Sequence, residues 1–359
     1  SVLHMTDLVF IDPVATGFSR PADEEKREQF FGQTPDIESV GDFIRLWTTR
    51  HQRWRSPKYL CGESYGAFRA AGLADHLHDR YGMYLNGVVL LSGVLHFATL
   101  NEQSGNPLAS VLFLPTLTAI AHYHGKLPAD LQGDPERAQA ESRDFAMGEY
   151  AAALLQGAAL PAAQRARVAE RLARLTGLPR PLIEDNMLRV SSSRFREFLL
   201  RDEGLIIGRF DGRITGRDAD RASPVPRFDP SYASAYGPFS AAMNAYVREE
   251  LQVTNDLPYE ILTGVRPWEY DARNRYPDVS GRLASVMSKN PYLRVLVLGG
   301  RCDLACPVDG MRYSIDQMRL DPGLRENIRY AEYASGHMMY LNQPDLEKLQ
   351  HDLEMFLRP

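Results

Sequence analysis

Residues 61–68 read CGESYGAF, a serine spaced between two glycines as G-x-S-x-G. The apolar Tyr59-Leu60 precedes it, and Arg69-Ala70-Ala71-Gly72-Leu73 follows with helical character. A serine at such a strand-to-helix junction is a nucleophile elbow, a turn tight enough to lift the hydroxyl out of a sheet. Small residues on both sides are expected to let strand and helix backbones pass close to each other. The turn therefore constrains the fold, because it needs a strand leading straight into a helix that crosses back over a parallel sheet.

The surrounding pattern agrees. Asp7 to Asp12 (DLVFID) reads as a buried strand, and Asp36 to Arg50 places Ile37, Val40, Phe43, Ile44 and Trp47 at helical spacing. After Ser64, a helix is expected over Tyr65 to Tyr81 and a strand over Asn86 to Leu91. Two further strands, Arg294 to Leu298 and Ile328 to Tyr333, precede a closing helix at Asp345 to Leu357. Between these parts, roughly Ala98 to Lys289 reads mainly as helices: Ala109 to Tyr123, Asp134 to Gln156, Pro161 to Thr176 and Gly237 to Leu251. Arg213 to Arg227 reads as loop. The expected architecture is an α/β-hydrolase-type fold: a parallel-rich sheet with helices on both faces. Residues 1–97 and 290–359 form its core, and 98–289 a large helical cap insertion.

Composition narrows the partners. With 44% hydrophobic and 24% charged residues and a net charge of -5, the 359-residue chain has no basic field for nucleic acid and no polybasic membrane patch. No run approaches the roughly 18 apolar residues of a membrane span. A small or peptide substrate is the expected partner. Cys61, Cys302 and Cys306 cannot all pair, so disulfides do not frame the fold. The pairs His76/His78 and His122/His124 fall in helices, where i and i+2 point to different faces. No metal or other cofactor is expected.

An elbow serine needs a base and an orienting acid, which in this architecture follow it in the order Ser, Asp, His on later strand-end loops. Gly299-Gly300-Arg301-Cys302-Asp303 follows one strand and Ser335-Gly336-His337 another, so Ser64, Asp303 and His337 form the candidate triad. Asp309 and Glu332 are rival acids, the first farther from its strand and the second within one.

The motifs LVFIDPVATGFSR, GESYG, CDLACPVDGMRYSIDQM and SGHMMYLNQP resemble the serine carboxypeptidase family, especially its bacterial members, in order and spacing. FLPTLTAIAHYHGKL, GRFDGRITG and SKNPYLRVLVLGG extend the likeness into the cap and over nearly the whole chain. The resemblance implies removal of C-terminal residues from peptides through an acyl-enzyme. It gives Tyr65 a backbone N–H in the oxyanion hole and Glu63 a part in binding the substrate carboxylate. Two carboxylates in contact repel, so that binding requires a shared proton and low pH; a structural hydrogen bond at the turn is the other role open to Glu63. Met338 and Cys306 fall where some members line the substrate pocket, and core packing accounts for both equally well.

This sequence departs from the family at Ala15, where G-T-G-F-S becomes A-T-G-F-S. The family's Gly-rich stretch upstream of IDPVATGFSR is absent, so an N-terminal segment or second chain completing the oxyanion hole and the sheet is expected. Two other functions share these residues: an esterase or acyltransferase with the same triad, and a catalytically silent chain that binds a partner.

Overall fold

The computed structural model describes residues 2–262 and 265–358. Helix α1 (Gln33–Arg50) leads to strand β1 (Tyr59–Glu63), helix α2 (Tyr65–Tyr81) and strand β2 (Gly87–Leu91). Next come α3 (Leu108–Tyr123), α4 (Ala129–Gln132), α5 (Pro135–Phe145), α6 (Ala151–Gln156), α7 (Ala162–Thr176), α8 (Arg180–Asp185) and α9 (Ser192–Phe198). A short hairpin of β3 (Ile206–Ile207) and β4 (Thr215–Gly216) precedes α10 (Pro230–Glu249) and α11 (Ser280–Lys289). The chain then forms β5 (Arg294–Gly300), α12 (Val308–Asp316), β6 (Ile328–Tyr333) and α13 (Gln343–Leu357).

Strands β1, β2, β5 and β6 pair in that order, all parallel. Their side chains alternate between two apolar layers, as pleating requires. Val88, Leu90, Val295 and Val297 join Phe68, Leu283, Val286 and Met311 from α2, α11 and α12. Val89, Leu91, Leu296 and Leu298 instead meet Leu349 and Phe356 of α13. β2 is buried along its whole length, as expected of an inner parallel strand covered on both faces. Helix α2 carries buried Ala67, Ala70, Ala71, Gly72 and Ala74, small residues that let it lie close to the sheet. Each fully buried Leu or Val contributes about 2 kcal/mol.

Helices α3 to α9 have a separate apolar core, with Phe113, Leu117, Phe145, Leu172 and Phe195 among its members. Cys302 and Leu304, from the loop after β5, belong to it, so the helical region packs directly on that loop.

Three expectations need correction. Residues 7–12 form no strand: Leu8, Val9 and Phe10 are exposed, Phe10 at 88%. An apolar run becomes a strand only where a ladder partner meets it, and no described strand pairs with this one. The helix expected over Asp134 to Gln156 is interrupted by a π-helical turn at Ala146–Tyr150. That turn stacks Tyr150 on Phe145 at 5.7 Å and lets the Tyr150 hydroxyl donate to the Leu188 carbonyl at 2.6 Å. The region between β2 and β5, expected to be mainly helical, also holds a β-hairpin, whose two-residue strands are too short to leave a period-two pattern.

Candidate active site

Strand β1 ends at Glu63, and α2 starts at Tyr65. Ser64 makes the turn between them with φ 57° and ψ −122°. A non-glycine residue there stores on the order of 1–3 kcal/mol of backbone strain. The Ser64 N–H donates to the Leu91 carbonyl at 3.0 Å, which anchors the turn to β2. The glycine requirement proves one-sided. A Cβ on Gly62 would lie 1.9 Å from the Gly66 carbonyl oxygen, whereas one on Gly66 would meet open space. Tyr65 is the first residue of α2, so its N–H has no acceptor within the helix.

Asp303 follows β5 and His337 follows β6, at the same end of the sheet as Ser64. Asp303 Oδ1 accepts the N–H groups of Ala305 at 2.7 Å and Cys306 at 2.9 Å. Its Oδ2 lies 2.7 Å from His337 Nδ1, and both side chains are buried. With the carboxylate ionised, Nδ1 carries the proton and Nε2 is left as a base. Burial opposes the imidazolium, but the charge and hydrogen bond of Asp303, helped by Glu63, outweigh it and raise the His337 pKa above the ordinary value. No hydrogen bond joins Ser64 to His337 among the described residues; Ser64 sits beside the Cys306 thiol. Such contacts are often loose before substrate arrives.

Glu63 comes next to this pair. The Tyr340 hydroxyl lies 3.1 Å from each of its carboxyl oxygens. Burial pushes the Glu63 carboxyl above the usual range, His337 and Tyr340 pull it down, and Asp303 pushes it up; the outcome is a raised pKa. Glu63 is therefore a carboxyl that keeps its proton to a higher pH than most.

A cavity of about 240 Å³ is lined in part by Tyr123, Phe210, Arg213, Met338 and Asn342. Met338 thus faces open space, while Cys306 is buried beside Ser64 and Asp303. The loop with Ala15 lies against residues 258–260: Gly17 and Glu260 exchange backbone hydrogen bonds, and the Tyr259 hydroxyl donates to Asp12 at 3.1 Å. Ala15 itself holds φ 67°, a left-handed conformation that suits glycine.

The rival acids are committed elsewhere. Arg143 of α5 reaches Asp309 at 2.9 Å and Glu332 at 3.0 Å. Glu332 also binds Arg301 at 2.8 Å and Arg312 at 2.7 Å. Arg301 in turn meets Glu136 at 2.6 Å, so the network ties α5 to the sheet.

A strained serine between strand and helix, with an acid after β5 and a histidine after β6, decides the architecture. The fold is that of an α/β-hydrolase. No family profile and no curated protein matches the chain. The solved structures similar to it include VinJ, 15% identical with a TM-score of 0.37, covering 96% of this chain and 78% of that one. Proline iminopeptidase of Mycobacterium smegmatis is 15% identical with a TM-score of 0.33, covering 92% and 72%. A carboxyl esterase from Bacillus coagulans is 12% identical with a TM-score of 0.37, covering 96% and 78%. Similarity this distant says nothing of the activity of this chain, which its own site must indicate.

Sequence reasoning passed over Tyr340, although SGHMMYLNQP contains it. It also passed over Asp345, which is buried and accepts the N–H of Ser335 at 2.9 Å and the Ser335 hydroxyl. A buried acid at the start of α13, ten residues past Ser335, gives no signal short of the fold itself.

Proposed function

We propose that this chain is a serine carboxypeptidase, in which Ser64, His337 and Asp303 release C-terminal residues from peptides. The observation that carries the reading is the buried 2.7 Å contact of His337 with Asp303 at the sheet end that holds the strained Ser64. As Ser64 Oγ bonds to the scissile carbonyl carbon, His337 Nε2 takes the hydroxyl proton. The Tyr65 N–H donates to the resulting oxyanion. The imidazolium then protonates the leaving amine, the C–N bond breaks, and water repeats the sequence on the acyl-Ser64. Asp303 fixes the tautomer and offsets the imidazolium charge. Glu63 is the group that favours a peptide with a free carboxylate: while protonated, it donates a hydrogen bond to that carboxylate instead of repelling it.

Two measurements test this. A fluorophosphonate should label the chain, and Ser64→Ala should abolish labelling. Peptides with a free C-terminus should be hydrolysed much faster than the same peptides as C-terminal amides. Labelling without that preference points to the esterase or acyltransferase reading, and no labelling of the wild type to a silent binding chain.

A further inference from the structure

The tip of the β3–β4 hairpin, contributed by the inserted region, lies between the two loops that carry Asp303 and His337. The Arg209 carbonyl accepts the Leu304 N–H at 3.0 Å, and the Gly212 N–H donates to the Cys302 carbonyl at 2.9 Å, so the tip brackets the acid loop. The Phe210 carbonyl accepts the N–H of His337 itself at 2.6 Å, and Asp211 Oδ2 accepts the Gly336 N–H at 3.2 Å. The Phe210 ring stacks on the imidazole, with centroids 5.0 Å apart and planes 19° apart. The fit leaves no slack: a Cβ on Gly336 would lie 2.1 Å from the Phe210 oxygen.

The tip is itself held. The Arg209 N–H donates to Asp229 Oδ1 and the Phe210 N–H to Ser231 Oγ, both at 3.0 Å. His124, which caps the C-terminus of α3, closes on the Gly212 carbonyl at 2.7 Å. Burial lowers the His124 pKa, which favours the neutral ring with its proton on the bonded nitrogen. Hydrogen bonds to four separate segments therefore fix where the Phe210 ring stands.

We propose that Phe210 is a positioning residue for His337, which holds the imidazole in line with Asp303 and Ser64 from within the inserted region. The proposal rests on the serine-hydrolase reading above for its link to turnover. One face of the imidazole has the aromatic ring against it, its edge has Asp303, and its backbone is tied to the Phe210 carbonyl. Remove the ring and the imidazole regains rotation about its side-chain bonds while Nδ1 still has its acceptor. Since Phe210 also lines the cavity beside Met338, a mere wall role must be separated from positioning.

The separating experiment compares wild type, Phe210→Ala and Phe210→Tyr. The readouts are kcat and KM on a peptide, the labelling rate with diisopropyl fluorophosphate, and the far-downfield proton resonance of a histidine bonded to a buried carboxylate. The fluorophosphate is too small to need the cavity. Positioning requires that Phe210→Ala lower both kcat and the labelling rate by about a hundredfold. KM should change only a few-fold, the downfield resonance should broaden or vanish, and Phe210→Tyr should restore all of these. A Phe210→Ala protein that labels at the wild-type rate while KM rises shows a cavity wall only and overturns the proposal. If Phe210→Ala does not fold, Phe210→Leu, which keeps apolar bulk without a flat face, is measured against the same outcomes. If the wild type fails to label, the serine-hydrolase reading falls. The downfield resonance, present in wild type and lost in Phe210→Ala, still decides the positioning.

Discussion

Tyr340 donates a single hydroxyl hydrogen between the two carboxyl oxygens of Glu63, 3.1 Å from each. The contact links the residue before the elbow serine to the turn three residues beyond the candidate base. It favours the anion, so it holds the Glu63 pKa lower than burial alone would set it. Phenylalanine at 340 removes that support and should raise the Glu63 pKa further. His337, Asp303 and Tyr340 are the charged and titratable groups that act on Glu63, and the limbs of the pH profile belong to this coupled set.

With unblocked peptides, kcat/KM is expected to fall on the alkaline side as Glu63 ionises against the substrate carboxylate. Tyr340→Phe should move that fall to higher pH, and Glu63→Gln should flatten it. A pH–rate series with free and amidated peptides checks this. An alkaline limb that does not move in Tyr340→Phe removes Glu63 from carboxylate binding.

The acid side belongs to His337, which acts as a base only when neutral. Its raised pKa places the loss of activity at higher pH than an ordinary histidine would. For stability the sign is the reverse. A histidine whose pKa is raised by folding contributes fully below its unfolded value of about 6.5, and that contribution fades as pH rises through the folded value. Asp303→Asn should lower kcat by on the order of 10⁴ by favouring the wrong tautomer, and should remove the stability contribution as well. Chemical denaturation at pH 5.5 and pH 9 would show it: the gap between wild type and variant should be wider at the lower pH.

Ala15→Gly should stabilise the fold by about 0.5 kcal/mol. Relief of the φ 67° conformation outweighs the added freedom of glycine in the unfolded chain and the loss of one buried methyl. Thermal melting decides the sign, and a lower midpoint for the variant contradicts it.

Arg143→Met should cost about 2 kcal/mol at neutral pH, because Asp309 keeps its burial, loses its hydrogen-bonded arginine and retains only the pull of Arg312. Burial already raises the Asp309 pKa against the pull of Arg143, and the variant raises it further. Protonation then relieves the poorly compensated charge, so the deficit should shrink at pH 4. Denaturation midpoints that differ equally at pH 4 and pH 7 would refute this account.

The sheet was legible because its determinants are local. The VVLL and VLVL runs are buried on both faces, and the elbow is written in five residues. The loops that carry Asp303 and His337 were legible because each directly follows a strand, the first the buried VLVL run and the second the partly exposed IRYAEY. Phe210 was not, since a hairpin with two-residue strands has no periodicity and the two loops it joins lie over 90 residues away at Leu304 and His337. Residues 7–12 misled for the opposite reason: their apolar content resembles a strand, but strand formation depends on a neighbour that no local pattern specifies.

The hairpin contacts limit how such a protein can be recombined. Exchanging the region between β2 and β5 for that of another protein would cut across these contacts. Here the graft boundary would run through the carbonyl that receives the His337 N–H and the side chain that receives the Gly336 N–H. A chimera that keeps Ser64, Asp303 and His337 but imports a foreign segment between β2 and β5 inherits the three candidate groups without the backbone that holds His337, so exchange has to respect residues 209–212 as part of the recipient.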